Sequence, residues 1–476
     1  MKGQGLLALL GALGIGGCSL GPVHPATQIA LPPSPGGNAS IDPITPANGP
    51  AQMIIVGASV PARWWTEFHC AALDSLVERA LASSNDLQAA DATLRQAREL
   101  AAANGQMTPQ VDASYQAQRA RVSNTLATPL TDPNQTLYSL HTAQLSLTYQ
   151  LDLFGGVRSK ILSLRAAADV AHEHYLAARN TLVSNLVLAV IQQASLTAQV
   201  DEVARSVRFN RDLLAMLRRR QVLGAIGAAD VAAQETALAT AESMLPPLER
   251  SRLHQRALIS AYLGVAAGAP LPPLPSLDAL QLPVEIPLSL PADIVGRRPD
   301  VMAAEAQMRG AGADLGTAIA ARLPSIQIGA SVGGAATRFS DMFASGNPFW
   351  SLIGGVTQPV FHGATLFHQM KASQAALDAA KAQYRGAAIQ AFVDLSDALA
   401  GLRADADVLD AASRARDAAA RNLHFVTRQL ELGDVGTLTL LNAGTADAQA
   451  SLLHVQARAA RLSDTVALFL AMGGGA

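Results

Sequence analysis

Apolar residues recur every three or four positions over residues 157–222 and again over residues 363–432, which is the spacing of one face of an α-helix. Val200, Val203 and Val207 illustrate the pattern. Neither stretch contains proline, and both are rich in Ala, Leu, Gln, Glu and Arg, which are good helix formers. A helix of about 66 residues is roughly 100 Å long. The pattern therefore predicts two very long helices of the kind found in coiled coils and helical arrays.

Four shorter segments alternate apolar and polar residues with a period of two. In the first of them, Val111, Ala113 and Tyr115 are separated by polar residues. The segments cover residues 111–118, 143–151, 326–332 and 350–356. Their length and weak dyad pattern are typical of strands that cross an outer membrane, which have roughly 10 residues. The pattern favours two β-hairpins of a membrane barrel, with two soluble hairpins packed on the helices as the alternative.

The two halves of the chain look like copies of each other. Four features recur in the same order at similar offsets, which indicates an internal duplication. The matched pairs are residues 85–90 with 299–304, Pro109 with Pro324, Phe154 and Gly156 with Phe361 and Gly363, and the turn 224–227 with the turn 433–436. Prolines cluster between Pro246 and Pro299 and mark a connector between the halves.

Four strands are too few to close a barrel, and open sheet edges do not occur in lipid. If the strands span a membrane, several chains must share one barrel. Two chains give 8 strands, whose interior is filled by side chains, so an open duct needs more. Three chains give 12 strands, and the internal duplication then gives the trimer pseudo-sixfold symmetry.

Composition narrows the function classes. The chain has 35 basic and 37 acidic residues, so its charge offers no argument for nucleic-acid binding. Its two cysteines, Cys18 and Cys70, exclude a disulfide framework and a cysteine-based zinc site. We expect no metal and no cofactor. After residue 17 no apolar run approaches the roughly 20 residues of a membrane helix, which excludes a polytopic helical transporter.

The N-terminus indicates export from the cytoplasm. Lys2 precedes a short apolar stretch over residues 6–15, and small residues follow, as in a secretory signal peptide. Gly16-Gly17-Cys18 resembles a bacterial lipobox, which implies cleavage before Cys18 and acylation of that residue. Ser19 after the cysteine points to the outer membrane by the bacterial sorting pattern. An ordinary signal peptide with an incidental cysteine is the alternative.

Several motifs carry a resemblance to a known family. In order, they are the lipobox, Trp64-Trp65, the segment Tyr149 to Gly155, Arg297-Arg298-Pro299-Asp300, Leu323-Pro324-Ser325-Ile326, and the two Gly-x-x-Gly turns. Together they resemble the TolC/OprM-type outer-membrane efflux factors, in particular their lipoprotein (NodT-like) branch. The resemblance implies a mainly α fold with a membrane β-barrel: a homotrimer with a 12-stranded barrel and a long antiparallel α-helical barrel in the periplasm.

The resemblance also implies a function and partners. The protein is expected to be a non-enzymatic exit duct that passes small molecules such as drugs from a tripartite efflux system to the outside. Its expected partners are a periplasmic adaptor, an inner-membrane pump driven by protons, and outer-membrane lipid.

With the resemblance included, the chain divides into nine predicted segments. They are a signal peptide (1–17), a lipid-anchored linker (18–61), periplasmic helices of the first repeat (62–108), the first β-hairpin (109–155), the first long helical hairpin (156–265), a proline-rich equatorial connector (266–299), a helix of the second repeat (300–323), the second β-hairpin (324–362), and the second long helical hairpin with the C-terminal end (363–476).

The resemblance assigns roles to particular residues. The adaptor would contact the periplasmic tip turns, formed by Gly224, Ala225, Ile226 and Gly227 and by Gly433, Asp434, Val435 and Gly436. Candidates for the periplasmic gate are Asp230, Thr439 and Asn442, although the last two replace acids found in some relatives. Residues expected to line the lumen are Gln116, Gln144, Ser146, Thr148 and Gln150. The alternatives are plain hairpin turns, a helix-capping role for Asp230, and a soluble sheet with a solvated polar face.

Two further hypotheses remain open. In the first hypothesis, the chain is a periplasm-spanning structural lipoprotein without a pore. In the second, more remote hypothesis, it is an esterase that uses Ser331 within the G-x-S-x-G pattern of residues 329–333. That motif requires a strand, a tight turn and then a helix. Here the period-two alternation continues through Ser331, which counts against the esterase.

Overall fold

A computed structural model describes residues 52–103, 108–121, 123, 137–288 and 296–475. Cys18, the signal peptide and most of the predicted linker lie outside these residues. The described chain is mainly helical with six strands. The strands are β1 (Met53–Val56), β2 (Gln110–Arg121), β3 (Leu137–Leu151), β4 (Glu285–Leu288), β5 (Ser325–Ala336) and β6 (Pro348–Thr357). The helices are α1 (Ala71–Ser83), α2 (Asn85–Ala102), α3 (Gly156–Val222), α4 (Ala228–Ser243), α5 (Leu245–Tyr262), α6 (Pro299–Ala320), α7 (Thr365–Leu432) and α8 (Thr437–Ala471).

The two long helices predicted from the sequence are present. Helix α3 has 67 residues and α7 has 68. Helix α7 begins two residues later than predicted because Gly363 and Ala364 have φ angles of 55° and 64°, which a right-handed helix does not allow. Within the described residues, α3 alone is long and apolar enough to cross a membrane. Of its most apolar 18-residue segment, 67% is buried inside the protein. The apolar residues of α3 therefore serve helix packing.

The chain separates into two compact units. The first contains the described parts of Leu94–Ala171 and Ala304–Tyr384, and its centre is a sheet in the order β2-β3-β5-β6. All three pairings are antiparallel, with β2 and β6 at the edges. The two hairpins predicted from the sequence thus join into one sheet through the β3–β5 pairing, which local alternation does not specify.

The second unit holds most of two helical hairpins, formed by residues 172–222 of α3 with α4 and by residues 385–432 of α7 with α8. Their ends share one hydrophobic core, because buried side chains from all four helices are in contact. These side chains are Leu213, Leu214, Leu217, Val231, Val426, Leu430, Leu440 and Ala443. Most are leucine or valine at helical spacing, so the core results from the amphipathic pattern.

Two details of the second unit go beyond the sequence prediction. Pro246 and Pro247, the first members of the proline cluster, lie in the first turn of α5, where proline is tolerated because the first N–H groups need no helical partner. Strand β1 falls in the segment predicted as an extended linker and pairs in parallel with β4 of the connector. The Met53–Val56 run is rich in β-branched residues, but its partner strand lies in the other half of the sequence, and no local signal identifies it.

The C-terminal part of α8 packs against an aromatic pair near the start of the described residues. The Trp64 ring stacks on Phe469 with a centroid distance of 5.4 Å. The side chains of Trp64, Trp65 and Phe469 are nearly inaccessible to solvent. Together they form the aromatic core of this part of the second unit.

Candidate functional site

The sheet of the first unit has one polar face. Residues that pair directly across neighbouring strands point to the same side of a sheet. One such row is Asp112, Ser146, Ser331 and Ser351. By the same register, the five residues predicted to line a lumen all share this face, namely Gln116, Gln144, Ser146, Thr148 and Gln150. The structure therefore brings together residues from both predicted hairpins.

The opposite face is apolar and open. One row across it consists of Ala113, Leu145, Val332 and Trp350, and the next contains Leu352. Trp350 is 78% exposed and Leu352 is 68% exposed. Among the described residues this face is largely exposed, and a contiguous exposed apolar face marks an interaction surface for protein or lipid. A sheet with one polar and one apolar face is the arrangement of a membrane barrel wall.

Aromatic residues gather near the loop end of the apolar face. The Tyr115 hydroxyl is 2.9 Å from Nδ1 of His141, and the Phe339 ring contacts Tyr115 edge-on at a centroid distance of 5.7 Å. Tyrosine and other amphipathic rings favour the boundary between membrane and water. This cluster fits such a boundary.

Ser331 lies in the middle of β5 rather than at a strand-to-helix turn. Its Oγ is 2.8 Å from Oγ of Ser351 on the neighbouring strand. A serine nucleophile of the G-x-S-x-G type needs the sharp turn that exposes its hydroxyl. The backbone around Ser331 does not provide that turn, so the esterase hypothesis loses its geometric basis.

The two predicted tip turns have nearly identical geometry. Gly224 and Gly433 end their helices with φ angles of 72° and 81°, in the left-handed region that favours glycine. The next residue of each turn donates its N–H to a carbonyl five residues earlier, Ala225 to Arg220 and Asp434 to Gln429. This is the Schellman arrangement of a helix C-terminus.

The middle of each turn packs against the shared core. Ile226 and Val435 are half-buried against it. Leu223 and Leu432 occupy equivalent places just before the glycines and are 81% and 77% exposed. Sequence reasoning missed these two leucines, although an apolar residue directly before a helix-ending glycine is a readable signal.

The three gate candidates lie near the turns. The Asp230 carboxylate accepts a hydrogen bond from the N–H of Gly227 at 3.3 Å, which is a capping role. Thr439 holds the same place after Gly436 in the second repeat, and Asn442 follows one turn later. The chain thus presents one acid and two neutral polar residues here.

The Arg-Arg-Pro-Asp motif has a structural role that the sequence did not reveal. Arg298 is mostly buried and forms ion pairs with Asp300 at 2.7 Å and with Asp394 at 2.8 Å. Its Nη1 also donates to the carbonyl oxygen of Ala471 at 3.2 Å. Burial by itself lowers the pKa of Arg298, and the two acids more than offset that effect, so the pKa is raised. The motif therefore ties the start of α6, α7 and the end of α8 together within the second unit.

Two carboxylates lie close together between α7 and α8. Burial, and then the negative charge of Asp464, raise the pKa of Asp405 to about 6, against a smaller opposing effect of Arg461. Burial also raises the pKa of Asp464, which faces Asp397 as well. Among the described residues, Oδ2 of Asp405 has no hydrogen-bond partner. The pair is therefore strained when both groups are ionised.

Replacing Asp405 with asparagine is expected to raise the thermal midpoint at pH 8 and to change it much less at pH 4. The pKa of Asp405 is higher in the folded chain, about 6, than its ordinary 3.8, so the folded state binds the proton more tightly. That stabilisation is fully present below about pH 4 and is lost as the pH rises through about 6. Circular dichroism melts between pH 4 and 8 measure the effect. Asp407→Asn, at an exposed position on the same helix, is the control. An equal shift for both variants at pH 8 contradicts the prediction.

The sequence was compared with known families and proteins. The family profile for outer membrane efflux protein matches residues 76–265 and 290–474. The chain belongs to the outer membrane efflux protein family. A relative, the pyoverdine export outer membrane protein OpmQ of Pseudomonas aeruginosa, is 31% identical over 426 residues, with 88% of each chain covered. The antibiotic efflux pump outer membrane protein ArpC of Pseudomonas putida is 29% identical, covering 97% of this chain and 93% of its own.

Solved structures show the same fold for this efflux protein. The outer membrane protein VceC of Vibrio cholerae has a TM-score of 0.79 at 24% identity, covering 87% of this chain and 99% of its own. The outer-membrane channel OprN has a TM-score of 0.82 at 23% identity, covering 88% and 93%. The efflux protein therefore has the fold of these channels. As a member of the outer membrane efflux protein family, it is a protein of the outer membrane. Membership of the family decides against the structural lipoprotein without a pore.

Proposed function

We propose that three copies of this efflux protein form a duct through the outer membrane that receives small molecules from a periplasmic adaptor and an inner-membrane pump. The two-faced sheet is the observation that carries the proposal. Its polar face suits a wet lumen and its apolar face suits lipid, while the edges β2 and β6 are left for pairing.

Pairing of these edges between copies preserves the strand alternation. Because β2-β3-β5-β6 alternate in direction, β6 of one copy runs antiparallel to β2 of the next. Three copies then give a closed barrel of 12 antiparallel strands. Twelve strands leave more interior space than the eight that side chains fill. A trimer therefore supplies both closure and an open lumen.

The membrane attachment and the partner contacts belong to the same proposal. Acylation of Cys18 would anchor the chain to the outer membrane, and two or more acyl chains hold a protein stably. The turns around Gly224 and Gly433 would contact the adaptor, with Leu223 and Leu432 as apolar contact points. Asp230, Thr439 and Asn442 would line the periplasmic gate.

The cargo is proposed to be small organic molecules. The relatives are named for pyoverdine export and for antibiotic and toluene efflux, which differ widely in polarity. The proposed lumen residues are mostly uncharged amides and hydroxyls, such as Gln144 and Ser146. A lining of this kind imposes little selectivity among solutes. Selection among cargoes would then fall to the pump.

Conductance across a planar bilayer, measured beside the crosslinked size of the purified protein, tests the duct. We expect a trimer that gives discrete channels, with a conductance that changes in Asp230→Lys. A monomer that never inserts into the bilayer contradicts the proposal. If the trimer gives no conductance, the same measurement is made on Gly433→Val, because a strained turn should open a closed tip. The absence of conductance in this variant as well contradicts the duct.

Replacing both exposed tip leucines with aspartate, Leu223→Asp with Leu432→Asp, is expected to reduce efflux in cells at least tenfold. The purified trimer should still assemble and conduct, because both side chains are largely exposed and their replacement leaves the buried residues of the shared core unchanged. Drug susceptibility and membrane levels measure the effect. The conservative pair Leu223→Met with Leu432→Met is the control. Normal efflux by the aspartate variant, at normal levels, contradicts adaptor contact at these turns.

A further inference from the structure

A cleft of about 520 Å³ lies in the second unit, away from the turns. Three elements form its walls. Helix α3 contributes Gln193 and Thr197, and α5 contributes Arg252, Leu253 and Arg256. The third wall is residues 271–276 of the connector, which contain three prolines. Its volume is within the range of small-molecule sites.

The charged residues that line the cleft are both positive. Arg252 and Arg256 are four residues apart on α5, so they lie on the same helix face and repel each other. Within the part of the chain that the structure describes, no acidic residue lines the cleft and neither arginine has an ion-pair partner. Glu249, the one acid of α5, is not part of the walls. Two guanidinium groups offer the forked donors that carboxylate and phosphate groups accept.

A buried amide adds unused hydrogen-bonding capacity. Gln193 is 5% exposed, and its Oε1 has no hydrogen-bond partner among the described residues. The Thr197 hydroxyl is already engaged, since it donates to the backbone carbonyl of Gln193 at 2.9 Å. An unpaired buried amide oxygen is unfavourable, so a ligand group that donates a hydrogen bond to it is favoured.

The rest of the lining is apolar and stiff. Leu253, Leu271 and Leu274 supply aliphatic surface, and the prolines between them fix the backbone φ angles and lack N–H groups. This wall therefore keeps its form without a ligand. It accepts a ring or chain rather than a hydrated ion.

We propose that the cleft binds a small amphipathic organic anion. Its carboxylate, phosphate or sulfonate group pairs with Arg252 and Arg256, and its apolar body packs on the leucines and prolines. A hydroxyl or N–H group on that body, where the ligand carries one, donates to Oε1 of Gln193. The site does not depend on the duct. A failure of the binding test therefore contradicts only the anion site, and a failure of the conductance test contradicts only the duct.

Isothermal titration calorimetry on the full-length protein in a nonionic detergent tests the site. The probe is 1-naphthyl phosphate, with 1-naphthol as the uncharged analogue and a protein-free micelle blank. We expect saturable binding at one site per chain and at least tenfold weaker binding of 1-naphthol. The affinity should also fall as NaCl rises, because salt screens the charges.

Matched variants locate the binding. Arg252→Gln with Arg256→Gln should weaken 1-naphthyl phosphate binding at least tenfold, whereas Arg250→Gln, an exposed arginine of the same helix outside the cleft, should leave it unchanged. Equal loss in both variants, equal binding of 1-naphthol, or no saturable binding to the unmodified protein overturns the proposal. The proposal is also overturned if the probe does not bind and the Arg252→Gln, Arg256→Gln variant weakens the oligomer. That result would show that a second copy of the chain fills the cleft.

Discussion

Replacing Gly334 with alanine is expected to reduce the folded oligomer at least tenfold. A Cβ atom at this position would lie closer than 3.0 Å to the carbonyl oxygen of Met342, 2.9 Å from its carbonyl carbon and 3.1 Å from Cδ1 of Phe343. Two of these are backbone atoms of the loop that folds over the end of β5. Backbone atoms cannot relieve the clash by a change of rotamer, as a side chain can. The added methyl group must therefore separate the loop from the strand.

The loop is held by bonds that such a separation would break. The N–H of Ala335 donates to the carbonyl of Asn347 at 3.2 Å, and the Asn347 side chain donates to the carbonyl of Asp341. Native gels of unheated membrane extracts, together with bilayer conductance, measure the loss.

Gly354→Ala is the matched control for Gly334→Ala. Gly354 lies on the next strand, β6, and a Cβ atom there would have no atom of the described residues within 4 Å. Both variants add one methyl group to a strand glycine, so they share the effect on the unfolded chain. Similar loss of oligomer in the two variants would contradict the close approach at Gly334.

Replacing Gly444 with alanine is expected to destabilise the packing of the two helical hairpins by about 1–3 kcal/mol, the usual cost of overpacking a core. A Cβ atom would lie closer than 3.0 Å to two ring atoms of Phe209. Phe209 is partly buried and packs against the core shared by the hairpins, so displacing its ring disturbs those contacts. Thermal midpoints of the oligomer and efflux in cells measure the effect.

A double variant separates this clash from a general effect of alanine. Phe209→Ala removes the ring, so Gly444→Ala should cost little more in that background, and the two changes should be clearly non-additive. Additive losses would show that the ring is not the cause.

Gly386→Ala is the control for helical glycines. Gly386 lies within α7, and in the described part of the chain no atom would lie within 4 Å of an added Cβ. Alanine favours helix over glycine by about 0.5–1 kcal/mol, so this variant should raise the thermal midpoint. The two glycine-to-alanine changes, both in helices, are therefore expected to shift the thermal midpoint in opposite directions. A drop in both midpoints would contradict the distinction.

The sequence by itself determined the two long helices, the two β-hairpins and the faces of the sheet, but not strands β1 and β4. The absence of proline and the helical spacing predicted the two long helices to within two residues, and the period of two placed the polar residues of each strand on one side. Motifs such as Arg297-Arg298-Pro299-Asp300 were sufficient for the family resemblance. These properties follow from local backbone preferences and from periodicity, which a single segment carries on its own.

Only the tertiary structure decided which segments meet. It joined β3 to β5, paired β1 with β4, placed Gly334 against Met342 and Gly444 against Phe209, and brought Asp405 beside Asp464. It also formed the cleft from three elements distant in sequence. Each of these contacts depends on packing between different segments of the chain. Neither residue propensity nor periodicity encodes the partner, because each describes one segment at a time.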